Sequence, residues 1–193
     1  MKNNQANFVL YTGPMFSSKT TKLLARIDRS KYQKKKTASF KPQSDDRYSV
    51  TNQIVTHNDK YAQGCGVSCG EDMLEIVAAN QPIDIVAVDE LFMIPGGGAA
   101  CIELFKKGYD VYVSSIDLDY MGNPFTEVME IMPYCTQIIK CKAVCSVCQE
   151  DARYTARKIQ NSLSNTKDDS NIQVGGSETY EARCQLHHNY MRS

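Results

Sequence analysis

The sequence has no bias of charge: among its 193 residues, 22 lysines and arginines balance 22 aspartates and glutamates. That balance argues against a bulk basic surface for gripping nucleic acid or an acidic membrane. No apolar run approaches the ~20 residues needed to span a bilayer, so no membrane partner is expected. Met1 to Ala6 is polar and precedes no apolar segment with a cleavage site, so no secretory signal is expected. Tandem repeats and long low-complexity tracts are also lacking. What remains is an ordinary globular composition, 42% hydrophobic and 23% charged. A chain this long buries roughly 70% of its unfolded surface, enough for a core without disulfide staples. The eight cysteines are therefore expected in a reducing cytoplasm, as metal ligands or buried thiols.

Strands and helices alternate along the first two thirds. Phe8 to Tyr11 predicts a buried strand, and Thr12 and Gly13 lead into a loop. Thr20 to Ile27 predicts a helix with Leu23, Leu24 and Ile27 on one face. Lys31 to Lys36 reads as its solvated end, and Thr37 to Phe40 as a second strand closed by Lys41 and Pro42. Gln43 to Gly70 is polar, contains Gly64, Gly66 and Gly70, and reads mostly as loop. A helix is expected over Glu71 to Ala79 and a central strand over Ile83 to Val88. A helix over Ala99 to Lys107, ended by Gly108, and a strand over Val111 to Val113 follow. The repeat, with continuous apolar strands, predicts an α/β core around a parallel sheet. From about Cys141 cysteines cluster and helical periodicity fades; a small second unit is expected there, with Ser162 to Asn171 as loop.

Two segments carry phosphate chemistry. Gly13, Pro14, Met15, Phe16, Ser17, Ser18, Lys19 and Thr20 lie between the first strand and the first helix, where a G-x4-G-K-[ST] loop has meaning. Such a loop wraps backbone amides around phosphates at the positive end of a helix. Lys19 would neutralise the β and γ phosphates, and Thr20 would ligate Mg²⁺. Ser18 stands where the pattern has its second glycine; serine keeps the loop only where the backbone does not demand a residue without Cβ. Further on, Asp89 and Glu90 end the apolar strand. Asp89 could hold Mg²⁺ and Glu90 could take a proton from an attacking hydroxyl or water. The plainer readings are a polar turn capping a helix and a solvated strand end.

Cys145-x2-Cys148 is followed, after 35 intervening residues, by Cys184-x2-His187. Two short-spaced pairs of soft ligands are the sequence form of a closed structural zinc site. Its expected job is to hold both ends of the intervening loop. His188 competes as the fourth ligand, and Cys141 is a distant alternative. Cys65 and Cys69 are expected to be non-ligating, and Cys101 and Cys135 to be core residues.

In this order and spacing, the three features resemble the type II thymidine kinases, a family with a zinc-held lasso. The likeness runs from about Asn7 to His187. It takes in Gly13 to Ser17, the segment Lys41, Pro42, Asp45, Arg47, Tyr48, and Thr56 with His57 as the start of a lid. It continues through Asp89 and Glu90, then Asp119, Tyr120, Gly122, Pro124 and Phe125. Lys142 to Cys145, Tyr154, Thr155, Arg157, Val174, Gly175, Gly176 and Tyr180 complete it. The resemblance implies a RecA-like P-loop core over 1–140, with a lid at about 48–70, and a zinc-binding lasso over 141–193. It implies an ATP- and Mg²⁺-dependent kinase acting on the 5′-hydroxyl of thymidine, and of deoxyuridine.

Carried over by position, Glu90 is the general base, and Lys19 and Arg47 stabilise the transferring phosphoryl group. Thr20, with Asp89 or Asp45, holds Mg²⁺. Tyr120 and Phe125 flank the base. Met15, Ile116, Thr155 and Tyr180 line the thymine methyl pocket, and the backbone around Val174, Gly175 and Gly176 bonds the pyrimidine edge. The resemblance also implies a homotetramer without direct nucleic-acid binding. The short tail after His187 implies a bacterial, phage or viral source. The sequence departs from the family pattern at Ser18, at Phe92 and Met93 after the carboxylate pair, at Tyr120, and at the turn Pro95 to Gly98. Two other readings compete: a RecA-like ATPase driving a DNA machine, and a non-catalytic nucleotide sensor. The neutral charge opposes the first, and the presence of Lys19, Thr20, Asp89 and Glu90 together opposes the second.

Overall fold

The computed structural model describes residues 5–44, 53–55, 61–158 and 176–191. In chain order its first half runs β1 (Phe8–Thr12), α1 (Lys19–Tyr32), β2 (Thr37–Pro42), β3 (Gln53–Val55), β4 (Tyr61–Gln63), β5 (Cys65–Val67), α2 (Gly70–Ala79) and β6 (Ile85–Asp89). Then come α3 (Gly97–Lys106), β7 (Asp110–Ser115), α4 (Thr126–Ile131), β8 (Gln137–Lys140), β9 (Ala143–Val144), β10 (Asp151–Ala152), β11 (Tyr154–Arg157) and β12 (Tyr180–Arg183). Six strands form one sheet in the order β5-β2-β6-β7-β1-β8, and every pairing within it is parallel.

The central strands are apolar on both faces because both faces are covered. Phe8, Leu10, Val86, Val88, Val111 and Val113 point into one core with Met73, Val77, Leu104 and Val128 from α2, α3 and α4. Val9, Tyr11, Ile85, Ala87 and Tyr112 point the other way, against Leu23, Leu24 and Ile27 of α1 and Ile54 of β3. The alternation of neighbours along each strand between the two cores is the pleat read out in side chains. This layering fixes the C-terminal ends of β1, β6 and β7 side by side.

Within Gln43 to Gly70, expected to be mostly loop, the structure describes three short strands. β3 and β4 form an antiparallel hairpin, and β5 adds to the sheet edge with Phe40 opposite Cys65 and Pro42 opposite Val67. Each is three residues long, too short to display a period of two, and each exists through its partner. Of the expected turn at Pro95 to Gly98, Pro95 and Gly96 form a turn, and Gly97 and Gly98 open α3, which begins two residues earlier than expected. The Glu127 carboxylate accepts the Gly96 amide at 2.8 Å and the Gly98 amide at 2.6 Å, satisfying amides that a helix start leaves open. A Cβ on Gly98 would stand 2.8 Å from the Glu127 carbonyl oxygen, so close packing accounts for the glycine. α4 and edge strand β8 carry no expectation from sequence. Beyond β8, residues 143–183 contain the hairpins β9–β10 and β11–β12. Among the described residues, no helix is long and apolar enough to cross a membrane.

Candidate active site

The loop from Gly13 to Ser18 joins β1 to α1 at the C-terminal edge of the sheet, where ligands of open parallel sheets bind. Gly13 sits at φ 140°, and a Cβ there would lie 2.3 Å from the Cys141 carbonyl oxygen. Ser18 adopts φ 61°, ψ 28°. The position is therefore left-handed, as its glycine in the general pattern suggests, and serine occupies it at a cost of roughly 1 kcal/mol. Phe16 is left-handed as well, at φ 64°. The Pro14 carbonyl accepts from Ser17 Oγ at 2.7 Å and from Lys19 Nζ at 2.6 Å. Burial lowers the Lys19 pKa, while the charges of Glu90 and Asp89 oppose the shift.

Asp89 ends β6 and is buried. Its Oδ1 accepts from Thr20 Oγ1 at 3.1 Å and from Ser114 Oγ at the end of β7. Burial pushes the Asp89 carboxyl up to about 7, the adjacent Glu90 carboxylate adds to this, and the Ser114 and Thr20 hydroxyls and Lys19 offset only part. Glu90 follows at φ 50°, ψ 47°. A left-handed glutamate at a strand end is costly backbone, of the kind that collects at functional sites. Sequence reading missed Ser114, although the polar pair Ser114 and Ser115 after the apolar Val111 to Val113 repeats the pattern that exposed Asp89 and Glu90. It also missed Asp117, which is buried and paired with Lys140.

The expected substrate residues are distributed around this edge. Ile116 is buried. Phe125 packs on Phe92, with ring centroids 4.6 Å apart, and the Phe92 amide donates to Ser115 Oγ at 3.1 Å. Tyr120 lies edge-on to Tyr190 and beneath the Arg157 guanidinium. Its loop is held by Asp119, whose carboxylate accepts the Met121 and Asn123 amides at 2.8 Å each. Met15 and Thr155 meet: the Met15 amide donates to Thr155 Oγ1 at 3.0 Å. Tyr180 is buried in β12, and its amide bonds the Gly176 carbonyl at 3.0 Å. Asp45, Arg47, Tyr48, Thr56, His57, Val174 and Gly175, the expected loop at Ser162 to Asn171 and part of the expected lid lie outside the described residues.

Cys145, Cys148, Cys184 and His187 converge, with their ligand atoms all within 4.8 Å of one another. Tetrahedral zinc, with Zn–S near 2.3 Å and Zn–N near 2.0 Å, sets sulfur pairs about 3.8 Å apart and sulfur–nitrogen pairs about 3.5 Å apart. Cys148 Sγ and Cys184 Sγ are 3.8 Å apart. His187 Nδ1 is 3.8 Å from Cys145 Sγ and 3.2 Å from Cys184 Sγ. Burial raises the Cys145 thiol, but the backbone amides of Cys148, Cys184 and Val147 outweigh it and bring the group down to about 6. Donor type and spacing therefore fit a metal such as zinc, with no position left for substrate. Of the candidates for the fourth position, His187 is the one whose ring nitrogen lies with the three thiols. His188 is turned away, with Nε2 2.9 Å from the Thr155 carbonyl and Nδ1 accepting the Tyr190 amide at 3.2 Å. Cys141 stays outside the cluster, against the Ile139 carbonyl. Cys101 is fully buried, and Cys135 packs against the same core.

Comparison with known proteins adds two findings. The family model described as thymidine kinase matches residues 6–188. A protein named thymidine kinase from Thermococcus kodakarensis is 34% identical over 181 residues, which cover 92% of this chain and 91% of that protein.

Proposed function

Because the chain belongs to the thymidine kinase family, we propose that it transfers the γ-phosphoryl group of ATP to the 5′-hydroxyl of thymidine, and of deoxyuridine, with Glu90 as general base. The observation that carries this reading is one cluster at the sheet edge: a phosphate loop ending in Lys19, the Thr20 hydroxyl 3.1 Å from Asp89 Oδ1, and Glu90 as the next residue. Two adjacent ligands of octahedral Mg²⁺, at bonds of about 2.1 Å, stand about 3 Å apart, so the Thr20–Asp89 pair suits the Mg²⁺ of Mg·ATP.

In the proposed step Glu90 takes the proton of the 5′-hydroxyl as that oxygen bonds to the γ-phosphorus. The bond from the γ-phosphorus to the β–γ bridging oxygen breaks, and ADP leaves with that electron pair. Lys19 and Arg47 balance the charge on the transferring group. The loop from Gly13 to Ser18 presents backbone amides to the phosphates, apart from Pro14, which has none, and Met15, whose amide is held by Thr155 Oγ1. Tyr120 and Phe125 flank the base, while Met15, Ile116, Thr155 and Tyr180 bound it, and Val174 to Gly176 read its edge through backbone groups. The four-ligand cluster would hold zinc as a clamp for a lasso unit over 141–193, and closure of that unit excludes water that competes for the γ-phosphate.

The eight free thiols support a reducing cytoplasm as the working compartment. Exposed Met129, Tyr134 and Ile138 lie on and before edge strand β8 and support self-association, which the family resemblance makes a homotetramer. The test is product analysis with Mg·ATP in the presence and absence of thymidine. The expected outcome is thymidine 5′-monophosphate formed in step with ADP, falling about 10²–10⁴-fold in Glu90→Gln. ATP hydrolysis indifferent to thymidine would replace this reading with a motor ATPase.

A further inference from the structure

His188 is a buried imidazole, 1% exposed, that neither the metal cluster nor the proposed chemistry uses. Its Nδ1 accepts the Tyr190 amide at 3.2 Å, so its proton sits on Nε2, which donates to the Thr155 carbonyl at 2.9 Å. Thr155 is itself buried in β11, and its Oγ1 accepts the Met15 amide at 3.0 Å. The Met15 N–H and the Pro14 carbonyl belong to one planar peptide unit. The carbonyl end of that unit holds Lys19 Nζ and Ser17 Oγ. Rotating the peptide would break the Thr155 bond at one end and displace the phosphate-binding lysine at the other. Phe16, the next residue in the loop, packs against the cluster that contains Cys148 and Cys184.

We propose that His188 is a positioning residue for the phosphate loop: by holding Thr155 it fixes the Pro14–Met15 peptide and thereby the resting place of Lys19. The inference rests on the proposed function only for its consequence in ATP binding. His188 directly follows the ligand His187, so order at the metal cluster is passed to the loop that binds nucleotide. The coupling is reciprocal: phosphate-loop occupancy should in turn order β11. The loop amides must be aimed before phosphate arrives, and this contact supplies part of that preorganisation.

The test compares two substitutions of similar size. His188→Gln places an amide donor where Nε2 stands and keeps the bond to Thr155. His188→Asn reaches only as far as Nδ1; it keeps an acceptor for Tyr190 and loses Thr155. Hydrogen exchange at the Met15 amide, measured in zinc-replete protein without substrates, is expected to quicken about fivefold in His188→Asn and to stay near the parent rate in His188→Gln, the scale of one neutral hydrogen bond. The KM for ATP at saturating thymidine should rise by a similar factor in His188→Asn, with kcat little changed. Thr155→Val should speed Met15 exchange as His188→Asn does, and Thr155→Ser should not. Added to Thr155→Val, the His188→Asn change should have no further effect. Equal exchange in all His188 variants with zinc retained, or full additivity with Thr155→Val, would overturn the proposal. Absence of ATP-dependent phosphorylation in the parent would overturn the proposed function instead, and Met15 exchange would still decide this inference.

Discussion

Ser18 and Asp89 each hold a conformation or charge that the folded chain does not favour. Ser18 stands at φ 61° where the general phosphate-loop pattern has glycine. Ser18→Gly should therefore stabilise the protein, by up to about 1 kcal/mol after the added freedom of the unfolded chain is counted. A chain of this size would then melt about 2–4 °C higher, which a thermal scan of the unliganded protein would reveal. Asp89 has its pKa raised to about 7 by burial and by Glu90. A carboxyl whose folded pKa lies above its unfolded value of 3.8 contributes stability below that value, and the contribution is lost as pH rises through 7. Asp89→Asn removes this dependence while leaving an acceptor for Thr20 and Ser114. Its melting temperature relative to the parent should rise between pH 5 and pH 8, whereas Mg·ATP should no longer protect it.

The C-terminal hairpins depend on a site that they do not themselves complete. β9–β10 has two residues in each strand and β11–β12 has four, short for independent stability in water. Their small cluster of Ala143, Cys145, Ala152 and Ala182 is supplemented by Phe16 from the phosphate loop. A metal held by the four converging ligands would supply the missing order. Cys148→Ser should drop bound metal well below one ion per chain. It should also deprotect amides of β9 to β12 selectively, leaving β1, β6 and β7 slow to exchange. Uniform deprotection of the whole chain would show that the hairpins and the sheet unfold as one unit instead.

At the scale of the whole molecule, the sheet ends in two edge strands, β5 and β8. Among the described residues β8 pairs only with β1, and Ile138 on it is 45% exposed. An open edge with apolar side chains is a template for association that proteins ordinarily cover or charge. Sedimentation equilibrium should give a mass four times the 21.7 kDa of the chain. A 21.7 kDa species at micromolar concentration would remove the tetramer from the proposal.

The sequence alone determined those features whose cause is local. The apolar run into Asp89 is visible because a strand buried on both faces admits no polar residue until its end. Gly13 to Thr20 is legible because its glycine, lysine and threonine stand at fixed spacing between an apolar strand and a helix. The Cys145, Cys148, Cys184, His187 set is legible because paired spacing is a property of tetrahedral coordination. Other features depended on partners distant in the chain, so tertiary structure decided them. β5 is a strand only because Phe40 to Pro42 offers it an edge, and Gly98 is helical because Glu127 caps and crowds it. His187 and His188 are chemically identical in the sequence. Backbone direction after Cys184 gives one to the thiols and the other to the Thr155 carbonyl. A metal site can be read from spacing, but which of two adjacent imidazoles faces it is set by the strand packed on the other side.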